Sequence, residues 1–134
     1  IPYGMAAKLA LPDSKVLVFI GDGAFGFYAM EYDTCMRHNI PITSVMGNDG
    51  TWGIDKTFQL AYYDRAVATD LRDVRYDKMI EAMGCYTEFV ETPDQVAPAV
   101  SRALASGMPS LVNTVVRSGA SPLAEAMINR RRGG

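Results

Sequence analysis

Two aspartates sit in glycine-rich turns, where carboxylates and backbone amides meet. The first turn is Gly21-Asp22-Gly23-Ala24-Phe25-Gly26. The second, about 25 residues on, is Gly47-Asn48-Asp49-Gly50. The first has the G-x-G-x-x-G spacing of a dinucleotide turn, in which glycines let the backbone approach a pyrophosphate resting on a helix N-terminus. Asp49 is then the acidic residue further on that bonds a ribose. Charge opposes this reading, because Asp22 would lie against the pyrophosphate. Two unit charges about 4 Å apart repel by roughly 4 kcal/mol at an effective dielectric of about 20. A helix terminus returns only about 0.3–1 kcal/mol, up to about 2 in partly buried sites. A cation between the two anions removes the conflict. Mg²⁺ takes oxygen ligands and is commonly held by one or two carboxylates plus substrate phosphates. Asp22 and Asp49 would then be metal ligands, and the amides of the turn and helix start would hold diphosphate oxygens. Each cluster alone is also an ordinary turn signal. On the residues alone both ligand readings stay open, with charge favouring the metal.

The flanking elements must bring the two clusters together. Ala6 to Ala10 is helix-prone and stops before Pro12-Asp13. Val16-Leu17-Val18-Phe19-Ile20 reads as a strand buried on both faces. Phe25, Tyr28, Ala29, Tyr32, Cys35 and Met36 recur at helical spacing, which predicts one amphipathic helix from Phe25 to His38. Ile42 to Met46 is a second strand. Strand, helix, strand is a βαβ unit, with parallel strands and a right-handed crossover. Thr51 to Val74 has no clean period and reads as a long irregular segment, too aromatic for a linker. A short helix follows from Tyr76 to Met83, closed by Gly84, and then a strand from Cys85 to Val90. Thr92-Pro93 opens a helix running to Ser106, Leu111 to Val116 is a fourth strand, and Ser121-Pro122 starts a final helix. The fold class is therefore α/β, a mainly parallel sheet with helices on both faces. Ligands bind such sheets at the carboxyl ends of the strands. If the first two strands are neighbours, both aspartate clusters lie on one edge.

Composition narrows the function classes. The 134 residues make one domain, with 49% apolar and 21% charged residues. A net charge of −2 argues against a nucleic-acid binder. Arg130-Arg131-Arg132 reads as a solvated tail. Cys35 and Cys85 form no metal or redox motif and fall in apolar patterns, so buried free thiols and a reducing cytoplasm are expected. No apolar run reaches the roughly 18–20 residues of a membrane span. No signal-peptide layout opens the chain. It begins without Met, in what reads as a helix, as a piece of a longer chain would.

The motif residues resemble a known family. Gly-Asp-Gly, about 25 residues, then Asn-Asn is the signature of thiamine diphosphate enzymes, matched here by Gly21-Asp22-Gly23 and Asn48-Asp49. Gly4-Met5-Ala6-Ala7-Lys8-Leu9-Ala10, Phe25, Glu31 and Arg37-His38-Asn39-Ile40-Pro41 are also similar to that family. The resemblance is to the C-terminal, diphosphate-binding domain of acetolactate synthase-like enzymes, including 2-hydroxyacyl-CoA lyases and oxalyl-CoA decarboxylase, without that domain's first elements, and it implies making or breaking a C–C bond next to a carbonyl, as a synthase, lyase or 2-oxoacid decarboxylase. It implies thiamine diphosphate and Mg²⁺ as cofactors. It makes Asp22 a metal ligand, gives Asp49 the second side-chain ligand position, and gives Thr51 a ligand through its backbone carbonyl. Asn48 would brace the turn and touch the cofactor, and Gly21, Gly23 and Ala24 would present backbone to the diphosphate. Asp49 departs from the family's Asn and adds a negative charge. Trp52 is read either as lining the pocket or as anchoring its loop, Glu31 as structural, and His38 as a cation at a helix end. The resemblance further implies a 2-oxoacid, aldehyde or acyl-CoA substrate and a homodimer or tetramer. The activating Glu lies in a separate domain, so no catalytic residue is assigned here and the chain alone is expected to be inactive. A flavin, bound by a middle domain in some relatives, is undecided by these residues. An NAD-binding oxidoreductase domain and a non-catalytic remnant are the alternatives.

Overall fold

The structure is a computed structural model, and it describes residues 1–120 and 122–132. Four parallel strands, β1 (Leu17–Gly21), β2 (Thr43–Asn48), β3 (Tyr86–Val90) and β4 (Ser110–Val115), form one sheet in the order β1-β2-β4-β3. Among the described residues seven helices surround it: α1 (Pro2–Ala10), α2 (Asp22–Phe25), α3 (Glu31–His38), α4 (Gly53–Tyr63), α5 (Tyr76–Glu81), α6 (Pro93–Ala105) and α7 (Pro122–Arg132). The expected α/β architecture with helices on both faces is what forms.

Side chains alternate across each strand, so the sheet has two faces and two cores. On one face Ile20, Met46 and Leu111 meet Phe25, Ala29, Tyr32 and Cys35 from the β1–β2 crossover and Ile80 from α5. α1 packs here too: its Gly4 lies so close to Val18 that a Cβ would stand 2.5 Å from Val18 Cγ2. Tyr32 is fully buried, and its hydroxyl donates to the Ser110 carbonyl at 3.0 Å. On the other face Ala99 and Ala103 of α6 pack against Val90 and Val112. Both cysteines are buried and free, and burial pushes each thiol up to about 11.

Three expectations need correction. First, β1 is not buried on both faces. It is an edge strand, α6 covers β2, β4 and β3 instead, and Phe19 is 78% exposed. Second, the helix expected from Phe25 to His38 is two pieces. Between them the amides of Phe27, Tyr28 and Glu31 bond three residues back, at 3.3, 3.1 and 3.0 Å. This tighter winding keeps Phe25, Ala29, Tyr32 and Cys35 inside but turns Tyr28 outward with Phe27 and Met30. Third, the segment from Thr51 to Val74 is not irregular throughout. It carries α4, in which Ile54, Phe58, Ala61 and Tyr62 recur at helical spacing although none of its residues is fully buried. After α4 the chain returns to make an antiparallel bridge between Thr51 and Asp70.

The remaining elements fall within a residue or two of expectation, except that α1 starts earlier, at Pro2. The arginine run is the end of α7, which continues through Arg132, rather than a tail beyond it, and Arg130 is exposed. Ser121, expected to start α7, lies outside the described residues. α6 begins in a capping box, with Thr92 as the cap and Gln95 Oε1 accepting from the Thr92 amide at 3.3 Å. Thr92→Ala should therefore destabilise the start of α6 by about 1 kcal/mol. Faster amide hydrogen exchange confined to its first turn would show it; unchanged exchange would mean the box contributes nothing.

Candidate functional site

β1 and β2 are neighbours in parallel register, with Gly21 opposite Gly47. Both strands therefore end at the same edge, and the two aspartate clusters meet there. The chain leaves β1 at Gly21 and enters α2 at Asp22 with no intervening loop. It leaves β2 at Asn48 and turns through Gly50, whose φ of +68° is a left-handed conformation that a side chain would strain. The Gly50 amide donates to Asp22 Oδ2 at 2.9 Å, so one hydrogen bond ties the two turns together. Asp49 Oδ1 accepts from both the amide and the hydroxyl of Thr51, each at 3.1 Å. The bridge to Asp70 uses the Trp52 amide and the Gly50 carbonyl, at 2.8 and 2.7 Å, and leaves the Thr51 carbonyl out of the ladder.

These turns wall a cleft of about 380 Å³. Gly21, Asp22, Gly23, Ala24, Asp49 and Thr51, all singled out in the sequence, line it. Asn48 does not. Its side chain points into the protein, where Nδ2 donates to the Val74 carbonyl at 3.1 Å and to Asn113 Oδ1 at 3.2 Å. The structure gives Trp52 both of its expected roles. It lines the cleft, its ring packs edge-on to Phe27 at 5.2 Å, and it lies over Gly23. Glu31 stands in the first turn of α3, where a negative charge suits the helix N-terminus, and His38 stands in the last turn.

The electrostatics of the cleft are one-sided: Asp22, Asp49 and Asp55 line it, and among the described residues no Lys, Arg or His does. Asp22 is 2% exposed, and burial raises its carboxyl above the ordinary value. Hydrogen bonds from Gly23 and Gly50 partly offset the rise, and the charge of Asp49 adds to it. Oxygen donors that repel one another, beside amides and a close-packed glycine, suit a divalent cation that carries a phosphate group with it. No cluster of three or more His, Cys, Asp or Glu side chains able to hold a metal occurs among the described residues. A cation here would take its remaining oxygens from backbone, ligand and water, as Mg²⁺ commonly does.

Sequence reasoning missed two sets of residues. Asp55, Val116 and Gly119 line the cleft from α4 and from the chain beyond β4. Behind the cleft, Asn113 Nδ2 donates to Asp77 Oδ1 at 2.8 Å, and Arg75 donates to both Asp77 oxygens at 2.9 and 2.6 Å. Burial alone would raise the Asp77 carboxyl, but bonds from Arg75 and Asn113 and the Arg75 charge hold it below the usual range. The Arg75 guanidinium lies over the Phe89 ring, 3.6 Å from its centroid. No local pattern marks these residues, because the fold alone brings them to Asn48.

Comparison with known proteins decides between the two readings of the glycine turn. Residues 1–114 match the model of the thiamine pyrophosphate enzyme C-terminal TPP binding domain. Acetolactate synthase large subunit IlvG of Mycobacterium tuberculosis is 46% identical over 114 residues, which are 84% of this chain and 21% of that protein. 2-Hydroxyacyl-CoA lyase 2 of Caenorhabditis elegans is 33% identical over 120 residues, 85% of this chain and 19% of that protein. The chain thus spans about a fifth of the length of these relatives. Among solved structures, the Rhodococcus jostii RHA1 thiamine diphosphate-dependent 4-hydroxybenzoylformate decarboxylase shares the fold. The TM-score is 0.82 at 24% identity, over 90% of this chain and 23% of that one. With its Gly-Asp-Gly and Asn-Asp turns joined at one sheet edge, the chain belongs to the thiamine pyrophosphate enzyme family, as a C-terminal TPP-binding domain.

Proposed function

We propose that this chain anchors the cofactor of a thiamine diphosphate- and Mg²⁺-dependent enzyme that makes or breaks a C–C bond next to a carbonyl. The observation that carries this reading is the pairing of Asp22 and Asp49 on adjacent strand ends, facing a cleft with no cationic lining residue. Asp22 and Asp49 supply carboxylates to the metal, and Thr51 its backbone carbonyl. Gly21, Gly23 and Ala24 present backbone to the diphosphate, and Asn48 braces the second turn from behind. Bound thiamine diphosphate supplies a carbon nucleophile and an electron sink. The chain's own residues bind and orient it, and Trp52 covers Gly23 and limits water there. The substrate is a small 2-oxoacid, aldehyde or acyl-CoA. The working protein is a cytoplasmic homodimer or tetramer whose other domains supply the activating acid. No helix among the described residues is long and apolar enough to cross a membrane.

The first test is calorimetric titration of the protein that carries this chain with thiamine diphosphate and with NAD, each with and without Mg²⁺. Thiamine diphosphate should bind only with the metal. NAD binding without metal would overturn the reading. Asp22→Ala should abolish the Mg²⁺-dependent binding and leave the fold intact; normal binding by this variant would remove Asp22 from the metal site. Asp49→Asn keeps an oxygen ligand and should retain binding.

Gly23 gives an independent check. A Cβ there would stand 2.9 Å from Trp52 Cδ2, so Gly23→Ala must displace the indole or the turn. Cofactor binding should weaken by about tenfold, or ~1.4 kcal/mol. The double variant Gly23→Ala/Trp52→Ala should recover part of the loss. No recovery would mean that the added methyl acts on the diphosphate turn itself.

A further inference from the structure

A line of polar side chains runs from the surface to the back of the second turn. Arg75, at the start of α5, is about half exposed and holds both oxygens of Asp77, whose side chain is 3% exposed. Asp77 Oδ1 accepts from Asn113 Nδ2 at 2.8 Å. Asn113, fully buried on β4, accepts in turn from Asn48 Nδ2 at 3.2 Å. Asn48 closes β2 and is followed directly by Asp49.

The order of donors and acceptors is fixed from the charged end. Ionised Asp77 can only accept, so it takes the amide hydrogens of Asn113. The carbonyl oxygen of Asn113 is then turned toward Asn48, which must present its own NH₂. That NH₂ also reaches the Val74 carbonyl at 3.1 Å, in the chain leading into α5. The Asn48 amide is thereby held in one orientation by two elements, while its backbone carbonyl accepts from the Val116 amide at 3.0 Å. The residue that precedes Asp49 is thus fixed through both side chain and backbone. A core that needed only volume would place apolar residues at Asn113 and Asp77, since burying polar groups costs free energy unless each is satisfied.

We propose that Asp77 and Asn113 are positioning residues for the cofactor site: through Asn48 they set the direction in which the Asp49–Thr51 turn presents its oxygens to the metal. Neither touches the cleft, and the inference rests on the metal–diphosphate reading of that cleft. Loss of the line should loosen metal-dependent cofactor binding more than it loosens the fold.

The test uses the whole protein that carries this chain. Thiamine diphosphate affinity is measured across a Mg²⁺ series, Mn²⁺ binding is followed by water proton relaxation, and thermal unfolding is recorded for every variant. Asn113→Leu keeps the volume and breaks the line, and Asp77→Ala breaks it nearer the surface. Each should raise the Mg²⁺ needed for half-maximal cofactor binding by about tenfold. Asp77→Asn keeps a carbonyl oxygen for Asn113 and should stay within about threefold of the wild type. Val112→Ala, in the core on the other face of the sheet, is the stability control. If Asn113→Leu does not fold, Asp77→Ala against Asp77→Asn decides. Metal dependence that shifts no more than in the equally destabilised control would overturn the proposal while leaving the site assignment standing. Wild type and Asp22→Ala that bind the cofactor alike would overturn both together.

Discussion

The hydrogen bond from the Gly50 amide to Asp22 is the constraint on which the site depends. It can form only because β1 and β2 lie side by side in parallel, with Gly21 opposite Gly47. It also requires the left-handed turn at Gly50, which aims that amide back across the strand ends. One contact therefore links strand order, register and backbone conformation. It spends one oxygen of Asp22 on structure and leaves the carboxylate beside Asp49, with no basic residue among the lining of their cleft. The repulsion is built in by the fold, and the proposed cation would relieve it.

Much of this was legible in the sequence, for identifiable reasons. Strands β2, β3 and β4 are short runs rich in β-branched, aromatic and other apolar residues, bounded by glycine and proline, and such punctuation is local. The two aspartate turns could be read as a pair because a βαβ unit tends to place consecutive strands side by side. What was not read was non-local or lacked a boundary signal. α4 has apolar residues at helical spacing, Ile54, Phe58, Ala61 and Tyr62, but Trp52 precedes it with no side-chain cap, so nothing local marks its start. The β1 run is apolar on both faces, yet the outward one is uncovered because β1 stands at the edge of the sheet. Asn113 lies 65 positions from Asn48 and meets it only through the pairing of β2 with β4, and Asp77, 36 positions from Asn113, is brought to it by α5.

The division of labour between the sheet faces follows from the same geometry. The face carrying Met46 and Leu111 also carries Asn48 and Asn113, so its packing changes from apolar to polar toward the strand ends. The opposite face is closed by α6 with small residues, Ala99 and Ala103, against Val90 and Val112. Hydrogen bonds on the first face thus gather at the end where the cleft opens, while the other face adds the Arg102–Glu88–Tyr86 and Ser110–Ala103 bonds to its close packing. Departures from simple hydrophobic patterning gather where a fold carries function.

The uncovered face of β1 has a colloidal consequence. Phe19 and Leu17 project from an edge strand that has a single neighbour among the described residues, and Phe27 and Met30 are exposed in the crossover that follows. An apolar edge with unpaired backbone groups is a template for adding another strand, and proteins normally blunt such edges with charge, proline or cover. Leu17, Val18, Phe19 and Ile20 include none of those guards. Such an edge favours pairing with a further strand wherever nothing shields it.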